Sequence, residues 1–272
     1  MRETALSPQL FTLFKLLVEE RAGLHYRPED CDLFAEKLET RALELGFESL
    51  LDYYYFLRYD PEGSLELDRL VDALVVQETY FFRELDAIEV AIERVVVPAV
   101  ERLGRARIWS AACSTGEEPL TLAMLLDRRG LLEQVEIVAS DISERALQRA
   151  RSGRFRPRAL RGDGRDVAAR YLERRGDELV IDPRMVAAID FRRVNLNLRH
   201  EFEPLGSFDL ILCRNVLIYF SDEVISRLIG DLTRSLRATG RLLIGVSESL
   251  LRFTTELACE EQRGIFLYRR QE

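Results

Sequence analysis

The sequence predicts an α/β protein whose mostly parallel sheet follows a small all-helical domain. From about residue 105, short runs rich in Val, Ile and Leu alternate with helical stretches, the pattern of parallel strands covered on both faces. Before that point, apolar residues recur at helical spacing. One interval, about 155–193, breaks the alternation and reads as a small insertion.

Taken in order, LFTLFKLLVEERAGL gives the first helix, and CDLFAEKLETRALELGF repeats its pattern and stops at Gly46. SLLDYYYFLRYDP is a third helix ending before Pro61, and SLELDRLVDALVV a fourth. The strands are RIWSAAC, VEIVASD, FDLILCRN and GRLLIGVSE, with GIFLYRR closing the sheet. PLTLAMLLDRR, SERALQRARS and DEVISRLIGDLTRSLR supply helices between them. The insertion reads as a charged helix followed by two short strand-like pieces, ELVIDP and AAIDFRR.

Composition narrows the function. With 272 residues and 32% charged side chains, the chain belongs to the globular class and holds one large or two modest domains. No run approaches the ~20 apolar residues of a membrane helix. MRETALSPQLFTLF lacks the features of a signal peptide, so the expected location is the cytoplasm, without membrane insertion. Cys31, Cys113, Cys213 and Cys259 show no metal or pairing spacing and read as reduced, mostly buried thiols. His25 and His200 stand too far apart for a metal site or a Ser-His-Asp triad. Charge is uneven: residues 1–90 hold nine Lys/Arg against twenty acids, whereas 145–200 hold fifteen Arg against seven. The basic segment suits an acidic partner surface; the competing reading is a solvated face. Nucleic acid is not expected, since the balance is acidic and no binding motif appears.

IWSAACSTGEEPLTLAM (108–124) carries the first chemical signal. A strand, a turn of small residues and a helix follow one another, the place where doubly wound sheets hold nucleotide ligands. The G-x-G-x-x-G fingerprint of pyrophosphate cofactors is absent, and Glu117 and Glu118 stand where phosphates would lie. Carboxylates repel phosphate and attract cations, so the pattern favours a nucleoside bearing positive charge, such as S-adenosylmethionine. The competing reading is a helix start capped by Ser, Thr and Glu. Asp141, ending the next strand about 23 residues on, is placed to accept from two ribose hydroxyls.

QETYFFRE (77–84), WSAACSTGEEP (109–119), ASDIS (139–143) with ARSGRF (150–155), VNL (194–196), FDLILCRNVLIYF (208–220) and GVSESL (245–250) occur in that order. Together they resemble the chemoreceptor glutamate O-methyltransferases of the CheR type, over about residues 10–268. The resemblance implies a helical domain (1–76), then a Rossmann-like class I methyltransferase domain (77–272) with an antiparallel β-subdomain inserted at about 155–193. It implies methyl transfer from S-adenosylmethionine to glutamate side chains in the cytoplasmic domain of a chemoreceptor, by a monomer. By matching motif, Gln77, Thr79 and Arg83 lie near the cofactor, Arg83 suiting its carboxylate. Glu118 contacts the cofactor, Asp141 takes the ribose, and Asn195 and Leu196 take the adenine edge. Arg214, Asn215 and Tyr219 line the floor, with Tyr219 near the transferring methyl; Arg83 and Tyr219 are the catalytic pair. Phe81 and Phe82 either face a sulfonium or pack in the core.

Some positions depart from the family pattern. Gln77 replaces the usual Asn, and Val246 stands where a His is common. The second helix offers Lys37 and Arg41 but also Glu36, Glu39 and Glu44, so docking of an acidic substrate shifts to the basic 145–175 stretch. ERRGDELVID turns on a single Gly-Asp, shorter than the loop of members that tether to a receptor's C-terminal pentapeptide. Independence of that tether is therefore expected. Alternatives are a non-catalytic S-adenosylmethionine-binding regulator or scaffold, and a small-molecule methyltransferase on the same fold.

Overall fold

A computed structural model describes residues 6–162, 164–253 and 255–271. The first five residues of the N-terminal stretch lie outside them. The chain divides into two compact units, one ending at Val76 and completed by Tyr219–Val224, the other formed by Gln77–Ile218 and the chain from Ile225.

The helical unit follows the sequence periodicity. Helix α1 (Pro8–Ala22) starts at Ser7, whose hydroxyl accepts from Leu10 N–H, with Pro at the first position, and ends at Gly23 in the left-handed region. Phe11, Phe14 and Val18 form its buried stripe. Helices α2 (Cys31–Glu44), α3 (Leu50–Tyr59) and α4 (Gly63–Leu74) add Phe34 and Leu38, Tyr53 and Leu57, and Leu70 and Leu74. A Cβ at Gly63 would lie 2.1 Å from the Phe56 carbonyl oxygen, so only glycine permits the α3–α4 approach. Buried Glu66 is satisfied by Arg41 through Nε (2.6 Å) and Nη2 (2.7 Å), and by the Tyr53 hydroxyl (3.0 Å). Lys37 donates to the Leu74 carbonyl. The antiparallel bridge Leu24–Phe220 and the His25 N–H to Tyr219 O bond (2.8 Å) tie the later segment into this unit.

The second unit opens with α5 (Leu85–Ala91), a π-helical turn over Ile92–Val96 and α6 (Val97–Leu103). There follow β1 (Ala106–Ala111), α7 (Glu117–Arg128), β2 (Val135–Asp141) and α8 (Glu144–Ser152). Then come β3 (Arg154–Phe155), α9 (Arg165–Tyr171), β4 (Leu172–Arg175), β5 (Glu178–Ile181) and α10 (Pro183–Ala187). The remainder is β6 (Ile189–Arg193), α11 (Arg199–Phe202), β7 (Phe208–Cys213), α12 (Asp222–Arg234), β8 (Leu236–Ile244), β9 (Leu257–Gln262) and β10 (Ile265–Arg270). Among the described residues the main sheet is ordered β6-β2-β1-β7-β8-β10-β9, parallel except around β10.

A separate antiparallel sheet, β3-β5-β4, forms the small insertion. Its β4 and β5 are joined by Gly176 and Asp177, with Gly176 at φ 63°. AAIDFRR does not belong to it: β6 leaves the small sheet and pairs parallel with β2 at the main sheet's edge. A half-buried pattern of five residues suits either place, and the partner strand decides. Strand β9, LACEEQ, escaped the sequence reading because it is a charged outer strand without an apolar run. Of the cysteines, Cys113 and Cys213 are buried, Cys31 half-buried and Cys259 exposed, fewer buried than expected.

Candidate functional site

Because β1, β2, β7 and β8 run parallel, their C-terminal ends share one edge. The chain order reverses between β1 and β7, which is where open α/β sheets hold ligands. Segments 112–118, 141–143, 214–217 and 245–248 follow those strand ends, and 77–84 is bonded to them. The backbone here is unusual. Phe82, Glu84, Ala112, Ser114 and Asn215 all have φ between 51° and 62°, a region non-glycine residues enter rarely and mostly at functional sites.

Asp141 ends β2 and is buried. Its Oδ2 accepts from Ser114 N–H (2.8 Å) and its Oδ1 from Ser143 N–H (2.9 Å). A carboxylate presents acceptors only, the chemistry that takes two vicinal hydroxyls. Gln77 reaches this corner through Nε2 to Ser143 Oγ (3.0 Å). Gly116, at φ 93°, has its missing Cβ position 2.6 Å from Ala150 Cβ, so α7 starts against α8. Asn195 and Leu196 are buried just beyond β6, where Val194 N–H donates to the Asp141 carbonyl (3.0 Å) and Asn195 Oδ1 accepts from Asn197 N–H (3.0 Å).

Glu117 and Glu118 are neighbours in sequence but diverge on the helix. Glu117 is buried and accepts from the Thr115 hydroxyl at 2.6 Å, while the helix's N-cap is Gly116, without a side-chain cap. Burial pushes its carboxyl above the ordinary range, against the Thr115 bond. Glu118 accepts from Ser110 Oγ (2.7 Å) and from Arg214 Nη1 (2.7 Å). The expected double carboxylate facing a cation is thus absent: one acid turns inward and the other already has its counterion.

Arg214 joins these segments. Its side chain is only 2% exposed and it donates to Glu118, to the Arg83 carbonyl (2.8 Å) and to Glu84 Oε2 (2.9 Å). Its Nε, together with Ser114 Oγ, is buried without a partner among the described residues, so both strand ends hold an unsatisfied polar atom. Burial raises Glu84, but Arg214, the Asn215 side chain and Val246 N–H outweigh it and hold the carboxyl below its ordinary value. Asn215 Nδ2 lies 3.2 Å from Glu84 Oε1. Glu248 accepts from three backbone amides, Asn215 (2.8 Å), Leu217 (2.8 Å) and Gly245 (2.8 Å).

The structure therefore brings Gln77, Arg83, Glu118, Asp141, Asn195, Leu196, Arg214 and Asn215 to one edge. Arg83 is partly exposed, donates to the Glu78 carbonyl and lies 5.7 Å from the Tyr80 ring. Thr79, half-buried, shares its segment. Tyr219 belongs to the helical unit, where its carbonyl accepts from His25 N–H (2.8 Å). Phe81 and Phe82 are core residues: Phe81 meets Phe155 edge-on at 4.8 Å, and Phe82 N–H donates to Thr121 Oγ1. Sequence reasoning missed Glu84 and Glu248. Both stand in quoted motifs, but nothing local marks a carboxylate as acceptor for amides from another strand.

The donor set fits S-adenosylmethionine: a buried, amide-held acid at the end of the second strand, a turn of small residues, and orphaned polar atoms at the ends of β1 and β7. Comparison with known proteins agrees. Residues 77–265 match the model of the CheR methyltransferase, SAM binding domain, and residues 9–75 that of the CheR methyltransferase, all-alpha domain. Chemotaxis protein methyltransferase 2 of Vibrio cholerae is 35% identical over 264 residues, covering 94% of this chain and 90% of the relative. Chemotaxis protein methyltransferase 1 of the same organism is 36% identical over 261 residues, covering 93% and 94%. Chemotaxis protein methyltransferase 1 of Pseudomonas aeruginosa is 34% identical over 250 residues, covering 88% and 90%. Fold, strand-end chemistry and these matches agree that the chain belongs to the CheR methyltransferase family, with S-adenosylmethionine as its cofactor.

Proposed function

We propose that the protein esterifies glutamate side chains of chemoreceptors with a methyl group, acting in chemotaxis as a protein-glutamate O-methyltransferase. The observation that carries the reading is Asp141, fixed by two backbone amides beside the small-residue turn. In this reading Asp141 holds the ribose, Asn195 and Leu196 the adenine edge, and Arg83 the cofactor carboxylate. Gln77, Thr79, Glu118, Arg214 and Asn215 shape the remaining wall and floor. For Tyr219 the reading rests on the sequence resemblance alone.

The bound cofactor supplies an electrophilic methyl on a sulfonium. A substrate glutamate, with an ordinary pKa near ~4.3, already carries its nucleophilic charge at neutral pH. The protein therefore needs no general base, and its own acids at this edge are otherwise engaged: Glu84 and Glu118 with Arg214, Glu117 with Thr115. What remains is alignment and exclusion of water, since a cation and an anion neutralise one another as the methyl moves. The two-residue Gly176–Asp177 turn supports independence of a C-terminal pentapeptide tether. Titration with that peptide is expected to give no heat.

Calorimetry with S-adenosylhomocysteine, on wild type and Asp141→Ala, tests the site, and methylation of a purified receptor cytoplasmic fragment tests the activity. Binding that Asp141→Ala weakens, with receptor turnover, supports the reading. Binding without turnover would favour a scaffold, and turnover only on small carboxylic acids would favour a small-molecule enzyme.

A further inference from the structure

We infer that Glu248 is a positioning residue, holding the left-handed turn at Asn215 and so setting the floor beneath the transferring methyl. The inference rests on the methyl-transfer reading above. Asn215 follows β7 at φ 57°, a region asparagine enters more readily than most residues but that still draws support from its surroundings. Glu248 supplies that support. Its Oε2 accepts from both Asn215 N–H and Gly245 N–H, and its Oε1 from Leu217 N–H, all at 2.8 Å. One side chain thus ties the end of β7 to the end of β8.

The chemistry demands a carboxylate. Three N–H donors converge, and an ionised carboxylate presents acceptors only. Glutamine would turn an NH2 donor against an N–H, and aspartate would fall a methylene short. Gly245 completes the device: a Cβ there would stand 2.5 Å from Asn215 Nδ2 and 2.8 Å from Glu248 Oε2. With its backbone fixed, Asn215 points its amide at Glu84, which also receives Arg214 and Val246 N–H (3.1 Å). The ribose end at Asp141 shares no bond with Glu248. Loss of Glu248 therefore disturbs alignment of the methyl and spares cofactor affinity.

The test compares wild type with Glu248→Gln, Asn215→Ala and the double variant. Readouts are S-adenosylhomocysteine affinity by calorimetry, kcat and KM on a receptor cytoplasmic fragment, and Tm. The expected result for Glu248→Gln is a kcat lowered on the order of 10- to 100-fold, the scale of a misplacement of about 1 Å, with affinity unchanged. The double variant is expected to be no slower than the slower single variant, since both act through one turn. Should Glu248→Gln fold poorly, Gly245→Ala keeps the carboxylate group but presses its new Cβ on both Asn215 Nδ2 and Glu248 Oε2, loosening the same turn; the same loss of kcat at unchanged affinity is expected. A fully active Glu248→Gln, strictly additive losses, or kcat and affinity falling in proportion would overturn the role. Wild type that binds S-adenosylhomocysteine yet methylates no receptor overturns the methyl-transfer reading itself, and this role with it.

Discussion

Arg214→Met removes one cation from between two carboxylates and leaves nothing in its place. Arg214 is 2% exposed, and its partners Glu84 and Glu118 are only 20% and 14% exposed. Taking one member from a buried ion pair costs about 3–5 kcal/mol, because the remaining charge stays desolvated. For a domain of this size each kcal/mol moves Tm by about 2–4 °C, so the expected fall is roughly 6–20 °C. The assay is built in. Trp109 is the only tryptophan and lies fully buried on β1, 5.4 Å from the Phe202 ring and 5.5 Å from Phe208, with its Nε1 on Ser140 Oγ. Its emission reports melting of the methyltransferase unit.

The pH dependence sharpens the test. In wild type, Glu84 titrates below its ordinary value, so its contribution is present above the unfolded pKa and is lost as pH falls through the folded one. Without Arg214, burial dominates and the folded pKa rises above the unfolded one, so the variant gains stability as pH falls from neutral. The gap in Tm is therefore widest at neutral pH and narrows on acidification. A variant that melts with wild type at pH 7.5, or a gap independent of pH, would refute the reasoning.

Glu117→Gln is expected to raise Tm at neutral pH, since burial raises the Glu117 pKa and the amide keeps an acceptor for Thr115; the gain should shrink as pH falls through the raised pKa, and no gain at pH 8 counts against the argument. Arg41→Ala leaves buried Glu66 without its bidentate partner and should destabilise the helical unit by about 3–5 kcal/mol, read by urea unfolding monitored by circular dichroism. Charge reversal tests docking of an acidic receptor on the insertion. Arg154 is already paired with Glu178 at 2.7 Å, so Arg156→Glu with Arg158→Glu is the cleaner variant. It should raise KM several-fold, most at low salt, and an unchanged KM would sink the idea.

Much of the architecture was readable because periodicity and burial are local signals. Phe11, Phe14 and Val18 recur along one helix face, and ILIL-type runs such as Phe208–Cys213 are buried throughout. Legibility stopped where a partner strand decides. Ile189–Arg193 carries no mark that it prefers β2 to the small sheet, and Leu257–Gln262 is a strand only because β10 lies beside it. The site divides in the same way. Asp141 was legible from its place at a strand end, whereas the uses of Glu84 and Glu248 depend, Gly245 aside, on amides 31 to 162 residues away in sequence. Adjacent Glu117 and Glu118 misled because neighbours on a helix point about 100° apart, so a pair in sequence is not a pair in space. Among the left-handed non-glycine residues at this edge, only Asn215 belongs to a type that favours that conformation.

The bridge between Leu24 and Phe220 has a consequence for how the chain is made. The helical unit is closed by Tyr219–Val224, which leaves the ribosome roughly 150 residues after Val76; at about 5–20 residues per second that is a wait of roughly 7–30 s. During synthesis the four helices stand as an unfinished bundle while the sheet of the other unit is being laid down. An expression fragment that stops at Val76 lacks the bridge partner of Leu24 and the Tyr219 carbonyl that takes the His25 N–H.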